Sequence, residues 1–133
     1  NSYFILIMRH PIINAFATKH FINKLKYYLK NYEFSYIIEH WFKAHNIFYD
    51  DKKYLKNVLI ITYEQLITEP EYVVNNIENF LNITFNRKKL NVKDGNEKYY
   101  KLIDDSFLRY EDKINKYGYS IKNLNKYMDL KNL

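Results

Sequence analysis

Apolar positions fall along this chain in two rhythms. Tyr3-Phe4-Ile5-Leu6-Ile7-Met8 runs without a polar break and is rich in strand formers, the pattern of a parallel strand covered on both faces. Asn57-Val58-Leu59-Ile60-Ile61-Thr62-Tyr63 is a second run of this kind, so strands are predicted over about 3–8 and 57–63. Between them, Phe34, Ile37, Ile38, Trp41, His45 and Phe48 recur at spacings of three, four and seven, which predicts an amphipathic helix from 34 to 50. Strand, helices, strand is the crossover unit of a parallel sheet, which places the chain in the α/β class.

Local signals add further elements. Pro11 follows the first strand and suits the first turn of a helix, where a missing amide hydrogen goes unnoticed; that helix is predicted over 11–21. Thr68-Glu69-Pro70-Glu71 reads as a capping box, opening a helix with Val73, Val74, Ile77, Phe80 and Leu81 on one side. The polar stretch 82–101, which contains Gly95, predicts a long loop that moves. Phe107, Tyr110, Ile114 and Tyr117 then predict one last helix from Ser106, stopped at Gly118 by a left-handed cap. Residues 1–121 thus form part of one domain, and 122–133 read as a tail sparse in core residues and expected to be poorly ordered.

Composition narrows this only a little. With 47% hydrophobic residues and 19% aromatics over 133 positions, there is ample material for one core, which excludes disorder for most of the chain. The net charge of +6 suits an anionic partner, but the lysines are scattered rather than clustered, which points away from nucleic acid. The absence of cysteine removes disulfides, thiolate nucleophiles and cysteine-ligated zinc. No apolar run reaches the roughly 20 residues of a membrane span. The opening of the chain, Asn1 followed almost at once by a buried-type strand, reads as a cut through a longer protein.

The richest chemistry lies at Met8-Arg9-His10-Pro11, where a parallel strand ends and a helix begins, the edge at which open α/β sheets bind ligands. A helix N-terminus offers amides and a positive dipole end there, and the planar fork of Arg9 matches phosphate oxygens. The alternative is an Arg9 paired with a nearby carboxylate. Tyr63, at the matching end of the second strand, is either a nucleotide contact or a brace for the sheet edge. His40 and His45 invite a metal or proton-shuttle reading, but a spacing of five does not align them on one helical face, which favours core-margin packing. Asn82-Ile83-Thr84 fits a glycosylation sequon, which chance supplies in so asparagine-rich a chain.

Taken in order, Phe4-Ile5-Leu6-Ile7-Met8-Arg9-His10-Pro11, Glu39-His40-Trp41, Val58-Leu59-Ile60-Ile61-Thr62-Tyr63-Glu64-Gln65-Leu66, Glu69-Pro70, Asn79-Phe80-Leu81-Asn82-Ile83 and Lys116-Tyr117-Gly118-Tyr119 resemble successive landmarks of the sulfotransferase superfamily. The resemblance implies the C-terminal half of a P-loop-like three-layer α/β fold that uses 3'-phosphoadenosine 5'-phosphosulfate (PAPS) as sulfuryl donor, with no metal required. It gives Arg9 the donor's 3'-phosphate. The serine that the family places eight residues later is Ala17 here, leaving Thr18, one position on, as a hydroxyl contact only if the helix is shifted or rotated. Tyr63 is implied as a third nucleotide contact.

The family's phosphosulfate loop and general base are absent from these residues, whose only glycines are Gly95 and Gly118, so this segment alone is not expected to catalyse transfer. The Tyr-Glu-Gln-Leu and Tyr-Gly-Tyr landmarks are closer to the branch acting on protein tyrosines or glycans than to the cytosolic small-molecule branch. That implies a hydroxyl or amine acceptor and a Golgi or secretory location, with cytoplasm still open. Two alternatives stand beside it: a sulfotransferase-like binding domain without activity, hinted at by Ala17, and another P-loop nucleotide enzyme such as a small-molecule kinase.

Overall fold

A computed structural model of the chain describes residues 2–24 and 33–132. Its centre is a two-stranded parallel sheet, β1 (Phe4–Met8) beside β2 (Val58–Thr62), in a register that pairs Phe4 with Val58 and Met8 with Thr62. The crossover between the strands carries α1 (Pro11–Lys24), which starts on its proline, and α2 (Phe34–Asp51). Both expected strands are therefore present, β1 one residue shorter at its start and β2 one residue shorter at each end, and α1 runs three residues past the predicted stop at Phe21.

Side chains alternate across a strand, so the two faces of the sheet meet different helices. Leu6, Met8, Val58 and Ile60 share one cluster with Ile12 and Ala15 of α1 and with Ile37, Ile38, Trp41 and Phe42 of α2. Aromatic rings fill the remaining space, with Tyr117 meeting Trp41 edge-on at 5.0 Å between centroids. Toward the other face lie α3 (Tyr63–Thr68) and α4 (Pro70–Leu81), which carries the fully buried Val73 and, at Phe80, an edge-on contact with Tyr3. Coverage there is uneven: Ile61 of β2 is 1% exposed, whereas Ile5 and Ile7 of β1 are 37% and 57% exposed. The expectation of a β1 covered on both faces thus holds for one face among the described residues.

The capping box predicted at Thr68 does not form. Its hydroxyl turns back into α3 and donates to the Glu64 carbonyl at 3.1 Å, while Glu69 takes the N-cap position of α4 without a capping bond, its carboxylate accepting from Gln65 and Lys131 instead. Glu71 instead accepts the Leu90 amide at 2.9 Å, and Glu78 the Phe85 amide at 2.7 Å, so α4 holds the outgoing loop against its flank. Asn82 ends α4 in the left-handed region at φ 53, a conformation asparagine tolerates better than most residues.

The single helix predicted from Ser106 is replaced by a 3-10 segment, Asp105–Tyr110, followed by the short α6 (Glu111–Asn115). Asp104 caps the first by accepting the Ser106 amide at 2.9 Å. Gly118 does adopt the expected left-handed conformation, with φ +82, and Met128 packs so closely that an added Cβ would sit 3.1 Å from it. The closing segment is likewise less isolated than its composition suggests. Tyr127 and Met128 pack on the core, the Gln65 side chain accepts the Leu130 amide at 2.9 Å, and its Nε2 donates to Asp129 at 2.7 Å.

Candidate functional site

The parallel register sets Arg9 and Tyr63 side by side, each one residue past the paired ends of its strand. The guanidinium carbon of Arg9 lies 4.8 Å from the centroid of the Tyr63 ring and 5.8 Å from that of Tyr99, so aromatic faces fix the plane of the cation. Tyr99 belongs to α5 (Glu97–Tyr100), a short helix inside the stretch expected to be all loop.

A guanidinium has five N–H donors arranged as two forks, one along the Nε side and one across the far end. The loop before α5 takes the first. Nε donates to Asn96 Oδ1 at 2.7 Å and Nη2 to the Gly95 carbonyl at 2.9 Å. Among the described residues no carboxylate pairs with Arg9, and on the outer fork Nη1 makes no bond and Nη2 makes none beyond that to Gly95, which leaves its second hydrogen over. The half-buried cation is therefore held by neutral oxygens on one edge, with an edge left over whose geometry suits phosphate.

Behind it stands a buried carboxylate. Glu64, 5% exposed, accepts the His10 amide at 2.9 Å and Asn96 Nδ2 at 3.0 Å on Oε1, and the Tyr119 hydroxyl at 3.0 Å on Oε2. This carboxylate sits at the start of α1, where the helix dipole favours negative charge. The helix N-terminus expected to serve a ligand is thus met by the protein's own anion, and the cationic chemistry of the edge falls to Arg9. Burial and the neighbouring Glu64 push the Tyr119 hydroxyl well above its ordinary pKa, keeping it a donor. His10 is fully buried, with Nε2 donating to the Ser120 carbonyl at 3.3 Å; desolvation pulls its pKa down to about 4, so the ring is neutral.

Of the three residues singled out in the sequence, Arg9 and Tyr63 come together and Thr18 does not join them. Thr18 is half-buried about two turns along α1 from Pro11, and no contact links it to either partner among the described residues. Gly95, Asn96, Glu64 and Tyr99 complete the site and were missed. Gly95 had a signal, being one of two glycines in the chain. A Cβ at that position would lie 2.7 Å from the Tyr63 hydroxyl, which accepts the Gly95 amide at 3.2 Å, so a side chain there would push the loop and the Tyr63 hydroxyl apart. Glu64 lay in the Tyr-Glu-Gln-Leu landmark with no role assigned.

Among the described residues, a cleft of about 280 Å³ lies beyond Asn96, between Glu64, Thr68, Asp94, Tyr100 and Tyr127, and another of about 360 Å³ opens between α2 and α6, sharing no residue with the site. Neither is lined by Arg9. Of the two histidines of α2, only His45 keeps to the core margin as expected, stacking on Trp41 at 3.6 Å and donating from Nδ1 to the Trp41 carbonyl at 2.8 Å; His40 is exposed. Among the described residues no group of three or more His, Cys, Asp and Glu is placed to hold a metal, and no helix is long and apolar enough to cross a membrane.

Residues 1–87 match a family model described as "Sulfotransferase family". No curated protein and no solved structure matches the chain. Arg9, Tyr63 and Glu64 lie inside the matched stretch; Gly95, Asn96 and Tyr99 lie beyond it.

Proposed function

The chain belongs to the sulfotransferase family, and from that premise we propose that the protein moves a sulfuryl group from PAPS to a hydroxyl or amine acceptor, with Arg9 holding the donor's 3'-phosphate. The supporting observation is the unclaimed outer fork of a half-buried Arg9 at the carboxyl edge of the sheet. Two parallel N–H donors suit a phosphate dianion, and a cation not neutralised by a carboxylate keeps its full attraction for one. Tyr63 contributes the ring on which the guanidinium rests. Thr18 is assigned the remaining hydroxyl contact, reached if the bound nucleotide spans the first two turns of α1; Ala17, in the family's serine position, can supply none.

In the transfer, the bond between sulfur and the phosphate oxygen breaks as sulfur bonds the acceptor oxygen or nitrogen. The acceptor loses a proton, and adenosine 3',5'-bisphosphate leaves. Arg9 acts by positioning, fixing the far end of the donor so that the phosphosulfate is presented in one orientation. The phosphosulfate loop and the general base are assigned to residues outside this sequence, since neither Gly95 nor Gly118 lies in a strand-to-helix turn. The acceptor class assigned by the landmarks is a protein tyrosine or a glycan.

The test is a transfer assay with sulfur-labelled PAPS and the intact protein, offering a tyrosine peptide, a glycan and a small phenol. Arg9→Ala is expected to raise the donor KM roughly 10²-fold, the worth of one bidentate charged contact. A donor KM unmoved by that substitution refutes the assignment. Ala17 favours one competing reading, a binding domain that has lost the donor, which requires that the intact protein show no affinity for the bisphosphate.

A further inference from the structure

We propose that Asn96 is a positioning residue that makes Arg9 competent for anions, an inference that rests on the donor-site reading above. The two opposite charges of this edge, Arg9 and Glu64, do not touch. Asn96 stands between them with both ends of its amide engaged: Oδ1 accepts Arg9 Nε at 2.7 Å and Nδ2 donates to Glu64 Oε1 at 3.0 Å. Its side chain is fully buried, so neither end can be replaced by bulk water.

The arrangement solves a geometric conflict. A direct pair between Arg9 and Glu64 would be the stronger attraction, but a bidentate carboxylate would consume one fork and neutralise the cation. The interposed amide lets the carboxylate polarise the guanidinium through two aligned hydrogen bonds while leaving the outer fork open. Asn96 is itself set by local bonds, its amide to Asp94 Oδ1 at 2.7 Å and its carbonyl to the Tyr99 amide at 2.8 Å, where α5 begins. Gly95 supplies the second acceptor, and its bare Cα fits close against Tyr63. The loop of residues 94–96 thus functions as a latch on one edge of Arg9, and it belongs to a part of the chain that the family match does not reach.

The test is a thermodynamic cycle read by adenosine 3',5'-bisphosphate titration of the intact protein, in the native sequence, Asn96→Ala, Arg9→Ala and the double variant. Asn96→Ala is expected to weaken binding about tenfold when Arg9 is present and less than about twofold in the Arg9→Ala background, since a residue acting through another has no effect once that other is gone. Gly95→Ala, which disturbs the same latch from its outer side without touching Glu64, should also weaken binding, and it carries the test if Asn96→Ala does not fold. Equal losses from Asn96→Ala in both backgrounds, or undiminished affinity in Gly95→Ala, overturn the inference while leaving Arg9 in the site. An Arg9→Ala protein that binds as well as the native one overturns the donor-site reading and this inference with it.

Discussion

The carboxyl edge of the sheet and the cleft between α2 and α6 both gather charge, yet in opposite ways. The cleft encloses about 360 Å³, and its rim carries Glu39, Lys43, Asp50, Lys113 and Lys116. Both signs mix there, Lys113 bonds Glu39 at 2.9 Å with half of each side chain in solvent, and water and salt screen whatever field remains. At the sheet edge the two central charges, Arg9 and Glu64, are half-buried and buried, and each is satisfied by neutral partners. A charge keeps its reach when its neighbours hold its position without cancelling it.

That contrast can be broken in order of expected effect. Glu64→Ala would leave the His10 amide, Asn96 Nδ2 and the Tyr119 hydroxyl without their acceptor, and about 4 kcal/mol of stability should be lost in a urea titration. A loss under about 1 kcal/mol would mean that the buried hub contributes little.

Acid should act at the same edge through His10, whose pKa burial pulls down to about 4 while the unfolded chain takes up a proton near 6.5. Below pH 6.5 the unfolded state therefore binds more protons, so stability falls as pH drops. From pH 7 to 5 the loss is on the order of 2 kcal/mol, and it levels off below the folded-state pKa. Urea midpoints at pH 7 and pH 5 should show it, and His10→Gln should flatten the difference.

Gly118→Ala tests the turn that aims Tyr119 at Glu64. A left-handed φ of +82 and the nearby Met128 make about 1.5 kcal/mol of destabilisation the expected result, read as a lowered melting temperature. Lys113→Ala, on the cleft rim, should change stability by less than about 0.5 kcal/mol. A larger loss there than at Gly118 would reverse the comparison.

The parts of this architecture legible in the sequence are those governed by periodicity or by chain neighbours. Two apolar runs and a helical stripe between them sufficed for β1, α2 and β2, and a parallel pairing then places Arg9 beside Tyr63. Contacts made across long separations were invisible. Asn96 reaches Arg9 over 87 positions, and nothing in a polar loop distinguishes a buried asparagine from a solvated one. Local motifs misled where a tertiary partner competed: Thr68 had a capping box to form but bonds Glu64 of its own short helix instead. The stretch from Ser106 to Gly118 had helical spacing throughout. It breaks where Glu111 turns its carboxylate to the Ser120 hydroxyl and the Ile121 amide, a demand from beyond the helix that periodicity does not register.

Binding of adenosine 3',5'-bisphosphate against adenosine 5'-monophosphate, in the native protein and in Arg9→Lys, isolates the contact on which the functional account depends. If the outer fork of Arg9 grips the 3'-phosphate, the native protein prefers the bisphosphate by about 10²-fold, and the lysine variant, a point charge without a fork, loses most of that preference while keeping its affinity for the monophosphate. Equal affinity of the native protein for the two nucleotides would contradict it.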